Sequence, residues 1–404
     1  MTMEDLSVDE IPSLHHDAIV GLFTPETANT PFPAYRQVRE RCPVARVDGF
    51  DGTPTVYLSR YEDVMWAMRH PEFFSSAPEA VDIGQDQPLI PLQVDPPDHA
   101  QYRRLLDPEF SPKKMAALDA DARAIVNHLI DGFIDRGSCD FHEEFATPLP
   151  SSIFLALMGL PQADLPMFLR WRDDTIRPDA ADLDDAARIR DRVGSEITEY
   201  FKSALMERRA HPDDALMHRI AVGEVEGREL TEEERLGICH LLMLGGLDTV
   251  TATLDCMVLH LAREPARRAA LAADLELVAP AIEELLRFET PVTMIVRVVK
   301  QDCELGGVQL RAGDHATLLL GAGNADPDEF DEPEETDFGR EANRHLAFGG
   351  GPHRCLGSHL ARLELRVALE ELHRRIPDYR LADGADVNLS PAIRQATSLP
   401  LVWG

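Results

Sequence analysis

The chain has 404 residues, 44% of them hydrophobic, which is enough to bury a large core. Its 71 acidic residues against 40 basic ones give a formal net charge of −31, which repels phosphate backbones and anionic membrane surfaces and argues against nucleic-acid or membrane-surface binding. Six cysteines without a CxxC pair indicate neither a zinc ribbon nor a disulfide framework and suit a reducing compartment.

The first 20 residues are acidic and interrupted by Pro12, His15 and His16, with neither the basic start nor the apolar stretch of a signal peptide, so a short tail and a cytoplasmic protein are expected. Residues 44–47 and 55–58 read as strands around a turn. Two loop-rich stretches, 72–95 and 177–183, are where substrate-gating loops could lie. Apolar residues recur at three and four spacings over 114–136, 184–209, 232–262 and 358–375, which predicts helices. Strands return at 295–299, 308–310 and 399–403. The apolar run 241–247, bounded by His240 and Asp248, is too short to span a bilayer. The expectation is a mainly α fold with a minor β part, and, with no repeat or long linker, one domain over 1–404.

The densest chemistry lies in Phe348-Gly349-Gly350-Gly351-Pro352-His353-Arg354-Cys355-Leu356-Gly357, ahead of a predicted helix. Three glycines and a proline form a shaped loop that can approach a bulky flat object closely. Cys355 at the start of an amphipathic helix gains thiolate character from the first amides and the positive helix end. The run lacks the Lys-Ser/Thr ending of a Walker loop and the dinucleotide spacing, and a phosphate site has no need of the cysteine. The stretch resembles the haem-binding signature of the cytochrome P450 family, FxxGxxxCxG, with Phe348, Gly351, Cys355 and Gly357 on its fixed positions. The resemblance implies the cytochrome P450 fold, a triangular helical body with a small β-rich region. It also implies a haem b whose axial ligand is the Cys355 thiolate, with Phe348 packed beside it.

A second unusual stretch lies between Leu230 and Pro265. Thr231 and Glu234 form a capping-box pattern and Pro265 closes it, leaving roughly 32 helical residues, about 48 Å. Gly245 and Gly246 in its middle cost roughly 1 kcal/mol each, and Asp248 risks an expensive burial. A close helix crossing, with Asp248 emerging at the surface, accounts for these residues taken alone. Beside the cysteine loop they resemble the [AG]Gx[DE]T element of the same family. The resemblance implies a locally opened helix, in which Thr249 would hydrogen-bond the iron-bound oxygen species and Asp248 would help relay protons from solvent.

Glu284 and Arg287 are three apart, a weak signal on its own. Their place after the long helix resembles the family's ExxR motif, whose role is structural. The resemblance also assigns His99, Arg103, Arg297 and His353 to the haem propionates. With that fold, basic residues at Arg103, Arg104, Lys113 and Lys114 and at Arg354, Arg362 and Arg366 offer a positive docking patch for an acidic ferredoxin. Electrons would come from a separate ferredoxin and its reductase, because the chain has no flavin or nicotinamide domain. The substrate lining is expected from Leu89, Ile90 and Leu92, from Leu244 and Leu247, and from Val292, Ile295 and Ile393, all apolar, which favours a small hydrophobic substrate.

The 245–250 and 399–403 stretches resemble the camphor-hydroxylating branch, which places a tyrosine in the early loop. No tyrosine lies between Tyr61 and Tyr102, and Gln87 stands near the expected place, so camphor itself fits poorly and a terpenoid or similarly sized apolar molecule is expected. The expectation is a monomeric monooxygenase using O2. The rival readings are a peroxide-using haem-thiolate enzyme and a non-catalytic haem protein that senses or carries a gas.

Overall fold

The structure is a computed structural model that describes residues 17–48, 52–80 and 87–404. The acidic tail through His16, and positions 81–86 of the early loop, lie outside the described residues. In chain order the elements that position functional residues begin with β1 (Val44–Asp48), β2 (Pro54–Leu58), α1 (Tyr61–Arg69), β3 (Phe74–Ser75), α2 (His99–Leu106) and α3 (Pro148–Met158). They continue with α4 (Leu183–Ala210), α5 (Glu232–Leu247), α6 (Thr249–Arg263), α7 (Val278–Glu289), β4 (Ile295–Val299), β5 (His315–Leu318) and α8 (Ser358–Arg375). The mainly helical class with minor sheets is as the periodicity indicates.

Two differences from the expected elements have local causes. The predicted helix over 114–136 divides into Pro112–Ala117 and Asp119–Asp131, followed by a 3-10 turn. Leu118 closes the first piece through a bond from its N–H to Met115 O, and Asp119 and Asp121 give the second an acidic first turn that complements the helix dipole. The strands β3 and β5 escape sequence reading because one is two residues long and the other, His-Ala-Thr-Leu, is central and lacks alternation.

The chain forms two compact units. The first comprises Met1–Ser76, Ala252–Cys355 and Leu372–Gly404. Its sheet runs β1-β2-β5-β4-β3, with β2 and β5 parallel and the other pairs antiparallel. Leu58, Val64, Phe74, Leu318 and Leu346 pack together against it. On α7, Glu284 and Arg287 are both fully buried. Arg287 Nε and Nη2 hold the two Glu284 oxygens at 2.9 and 2.7 Å. Its remaining N–H groups donate to the carbonyls of Asn324, Pro333 and Glu335 at 2.8 to 2.9 Å, so all five donors of the guanidinium are used. Glu284 in turn accepts from Asp337 N, Arg340 and Asn343.

The second unit comprises Ala77–Thr251 and Leu356–Glu371. Asp182 caps α4 by accepting from Asp185 N at 2.8 Å. The capping box predicted at Thr231 is present: its hydroxyl accepts from Glu234 N at 3.1 Å and Glu234 accepts from Thr231 N at 2.7 Å. The Arg228 guanidinium, helped by the Tyr102 hydroxyl, holds the Glu234 carboxyl down at about 2. The predicted 32-residue helix is interrupted at Asp248, where α5 ends and α6 begins. Glu232–Arg263 is long and apolar enough to cross a membrane by length and composition, but 67% of its apolar window is buried inside the protein, as a core helix requires.

Arg287→Ala would leave the Glu284 charge without its buried partner, and the expected loss is about 3–5 kcal/mol of stability. Urea unfolding of haem-free and haem-loaded protein measures it, and an unchanged midpoint in both would show the pair to be dispensable.

Candidate active site

The cysteine loop is built from the Glu284–Arg287 pair outward. The Asn324 amide carries the constraint along the chain by accepting from Leu346 N at 2.6 Å and donating to the Thr290 hydroxyl at 2.9 Å. Tyr61, at the start of α1, donates from its N–H to Asp326 and from its hydroxyl to Arg344 O, each at 2.8 Å. Beyond Leu346 the chain turns, and Cys355 N closes a loop onto Phe348 O at 2.9 Å. Gly351 has φ +64°, and a Cβ there would lie 2.1 Å from the Met68 carbonyl, so the loop can meet the end of α1 only with glycine. Helix α8 begins at Ser358, so Cys355 lies three residues ahead of it rather than at its start. The glycine and turn at 356–357 intervene, and Gly357 O accepts from Ala361 N.

The six cysteines differ sharply in environment. Cys42, Cys139, Cys239 and Cys256 are buried and Cys303 half-buried, whereas Cys355 is exposed. Burial pushes the Cys42 thiol up to about 11 and Cys139 to about 12, and raises Cys239, Cys256 and Cys303 as well, which keeps them protonated and inert. Two residues after Cys355, a Cβ added to Gly357 meets no atom within 4 Å. An accessible sulfur on a firmly held loop, next to an unhindered glycine, fits a flat iron macrocycle bound through a thiolate. The half-buried Phe348 ring lies 5.8 Å from the His345 ring.

Arg297 and His353 belong to the same unit as Cys355. Arg297 is buried in β4, paired with Ala316 in β5, and donates to Val296 O at 2.7 Å, while His353 is half-buried. Val292 forms an antiparallel bridge with Ile393, which brings two predicted substrate contacts together, and Ile295 is half-buried at the start of β4. The turn carrying Ile393 rests on residues the sequence did not single out. Buried Arg394 pairs with Glu289 at 2.9 Å and donates to Ala28 O at 2.7 Å, and His260 Nδ1 meets the other Glu289 oxygen at 2.8 Å.

The remaining expected residues lie in the second unit. His99 opens α2 and is buried; desolvation, then the nearby Arg103 charge, pushes its imidazole down to about 4, so it is neutral. Arg103 is half-buried and donates to Asp107 at 2.7 Å. In the early loop Leu89 and Ile90 are buried, Gln87 is half-buried and Leu92 is exposed. The loop packs so closely on α5 that a Cβ at Gly237 would lie 2.3 Å from Pro88 O. Leu244 keeps some accessible surface, but Leu247 keeps none and is part of the unit's core.

Asp248 is 1% exposed, not at the surface as the helix-crossing reading has it. Its carboxylate is held by Arg177, with Nη2–Oδ1 at 2.5 Å and Nη1–Oδ2 at 3.3 Å, and the arginine side chain is 38% exposed. Thr249 donates its hydroxyl proton to Gly245 O at 3.0 Å. Sequence reasoning saw Arg177 only as the edge of a loop; its partner lies 71 positions away and no spacing rule links them.

The expected positive patch is not bare. Lys114 pairs with Glu109, Arg104 with Glu226, and Arg366 with Asp119 and Glu370. Arg123 bridges Asp119, Glu370 and Glu371 in the same network, so cations and carboxylates alternate on this surface. Counting basic residues along the chain overlooked carboxylates contributed from distant positions.

Comparison with known proteins agrees with this geometry. The cytochrome P450 family profile matches residues 153–375. Steroid C26-monooxygenase of Mycolicibacterium smegmatis is 36% identical over 377 residues, 92% of each chain. Vitamin D(3) 25-hydroxylase of Pseudonocardia autotrophica is 33% identical over 402 residues, 96% of each chain. A solved myxobacterial cytochrome P450 in complex with myristic acid has a TM-score of 0.87 at 32% identity, covering 95% of this chain and 99% of the other. The chain belongs to the cytochrome P450 family. It is a haem b monooxygenase with an axial cysteine thiolate.

In the folded haem-free protein one thiol should react rapidly with a disulfide reagent, and Cys355→Ser should abolish that phase while the other five wait for denaturant. A fast phase surviving in Cys355→Ser would contradict the assignment of exposure.

Proposed function

We propose that this chain is a cytoplasmic, monomeric, ferredoxin-dependent monooxygenase that hydroxylates a small hydrophobic, terpenoid-like substrate, with Cys355 as the axial thiolate. The observation that carries the reading is the buried Asp248 carboxylate, beside Thr249 at a helix break and tied to solvent by Arg177. The haem supplies dioxygen activation and the insertion of one oxygen atom into a C–H bond. The donors that would hold its propionates are Arg297 and His353 in the first unit and Arg103 and the neutral His99 in the second. Phe348 and Gly357 shape the face around the sulfur.

The chain's own residues then have to move protons. Oxygen insertion consumes two protons in a pocket that must otherwise stay dry. Arg177 ties the buried Asp248 carboxylate to a partly exposed side chain; when the pair parts, the carboxylate can carry a proton inward. Thr249 holds its hydroxyl on Gly245 O, next in the chain to Asp248, and from there takes the last step of delivery.

For the substrate, the first unit offers Val292, Ile295 and Ile393 and the second Gln87 and Leu244, each partly accessible, while Leu89, Ile90 and Leu247 have little or no accessible surface. The named activities of the relatives, on steroids, vitamin D(3) and methyl-branched lipids, support a hydrophobic isoprenoid or lipid. The ferredoxin docks on the surface around Arg104, Lys113, Lys114 and Arg362, where it competes with Glu226 for Arg104 and with Glu109 for Lys114.

The reduced CO complex should show thiolate-type absorption in the wild type and in Thr249→Ala. That variant should divert electrons into hydrogen peroxide, and Asp248→Asn should slow turnover by about 10²-fold; unchanged coupling in both would remove their roles. Arg362→Glu should slow reduction by ferredoxin more than it weakens substrate binding, and equal effects on both would count against this docking surface.

A further inference from the structure

The helix break beside Asp248 is held from a position that no motif of the sequence includes. Leu247 ends α5, so its carbonyl is among the last four of that helix, which have no intrahelical donor. A second carbonyl is orphaned nearby for a different reason. Ala146 ends a π-helical turn, His142–Ala146, that leads into α3. The N–H that would serve Ala146 O one α-turn onward belongs to residue 150, and Pro150 has none.

One side chain answers both. The Thr251 hydroxyl lies 2.9 Å from Ala146 O and 3.1 Å from Leu247 O, and Thr251 is fully buried. It has a single proton to share between the two acceptors, so it links α3 to the break itself. Close to this link the two helices lie side by side, since a Cβ at Gly246 would meet the Phe154 ring at 3.5 Å, an ordinary van der Waals contact. Two threonine hydroxyls therefore serve the interrupted end of α5, Thr249 on Gly245 O and Thr251 on Leu247 O, with Asp248 between them.

We infer that Thr251 is a positioning residue for oxygen activation: its hydroxyl ties the break to the proline-disrupted start of α3 and so fixes the backbone from which Asp248 and Thr249 project. This rests on the proton-delivery reading above. Removing the hydroxyl frees the break to shift, and protons then arrive late. The reacting atoms are not touched by Thr251, so its effect appears as misdelivery rather than as loss of the site.

The test uses the full-length haem-loaded protein as wild type, Thr251→Val, which keeps the shape and removes the proton, and Thr251→Ser, which restores it. Amide hydrogen exchange over residues 245–251 should rise about tenfold in Thr251→Val, as expected for orphaning buried carbonyls. Peroxide released per NADPH, with a plant-type ferredoxin and reductase and no added substrate, should rise roughly two-fold or more. Thr251→Ser should return both to wild-type values. If Thr251→Val does not load haem, Thr251→Cys, close in size with a weak donor, should fall between wild type and an orphaned break in both readouts.

Unchanged exchange, exchange raised equally throughout the molecule, or failure of serine to rescue would each overturn the inference. So would raised exchange with unchanged peroxide release. If Thr249→Ala and Asp248→Asn also leave peroxide release unchanged, it is the proton-delivery reading that has failed; if they raise it and Thr251→Val does not, Thr251 alone has been misassigned.

Discussion

The first unit depends on one buried guanidinium. Arg287 has five N–H donors, and two meet Glu284 while three reach carbonyls of Asn324, Pro333 and Glu335, a stretch with no regular structure after residue 324 to make its own hydrogen bonds. A buried ion pair of this kind adds little net stability over a well-packed apolar replacement. Its value is organisation, because an irregular segment inside a protein must find donors for its carbonyls somewhere. Once that stretch is held, Asn324 fixes Leu346, the Gly351 contact seats the loop on α1, and Cys355 is presented as an accessible thiol while the other cysteines are shielded or partly so.

The second unit shows a complementary economy in α5. A helix buried for most of its length accepts two glycines, an interruption and a carboxylate, each unfavourable alone. Each finds a specific partner: Asp248 has Arg177, Gly245 O has Thr249, and Leu247 O has Thr251. A polar feature set in an apolar helix and satisfied group by group is costly to lose and easy to aim, which is what acid and hydroxyl chemistry in a dry pocket demands.

Local signals were legible where the cause is local. The capping box at Thr231, helices over 184–209 and 358–375, and strands over 44–47, 55–58 and 295–299 follow from side-chain hydrogen bonding and periodicity, and the structure places them within a few residues of the expected bounds. The glycines near Asp248 marked the place as unusual, but periodicity read one continuous helix there and only the family resemblance implied that it opens. Charge was misread, because the basic groups around Lys114 and Arg366 acquire acidic partners, and Arg366 meets Asp119 across 247 positions of sequence. A separation of 71 positions hid Arg177, and a threonine whose acceptor lies 105 positions away carries no mark in any window. The expected lining was read from hydrophobicity alone, which cannot separate Leu244, with surface to offer, from Leu247, with none.

By itself the sequence determined the family and the chemistry: a cysteine in a glycine loop, an acid and alcohol at a helix break, and a Glu-x-x-Arg pair are combinations of residue type and spacing that survive any detail of packing. The tertiary structure decided which groups are accessible and which are answered. It left Cys355 exposed while five similar thiols are buried or half-buried, buried Asp248 against an arginine from another helix end, and gave Thr251 two carbonyls to serve. Burial and long-range hydrogen bonding are properties of the folded chain, set by neighbours that are close in space and remote in sequence.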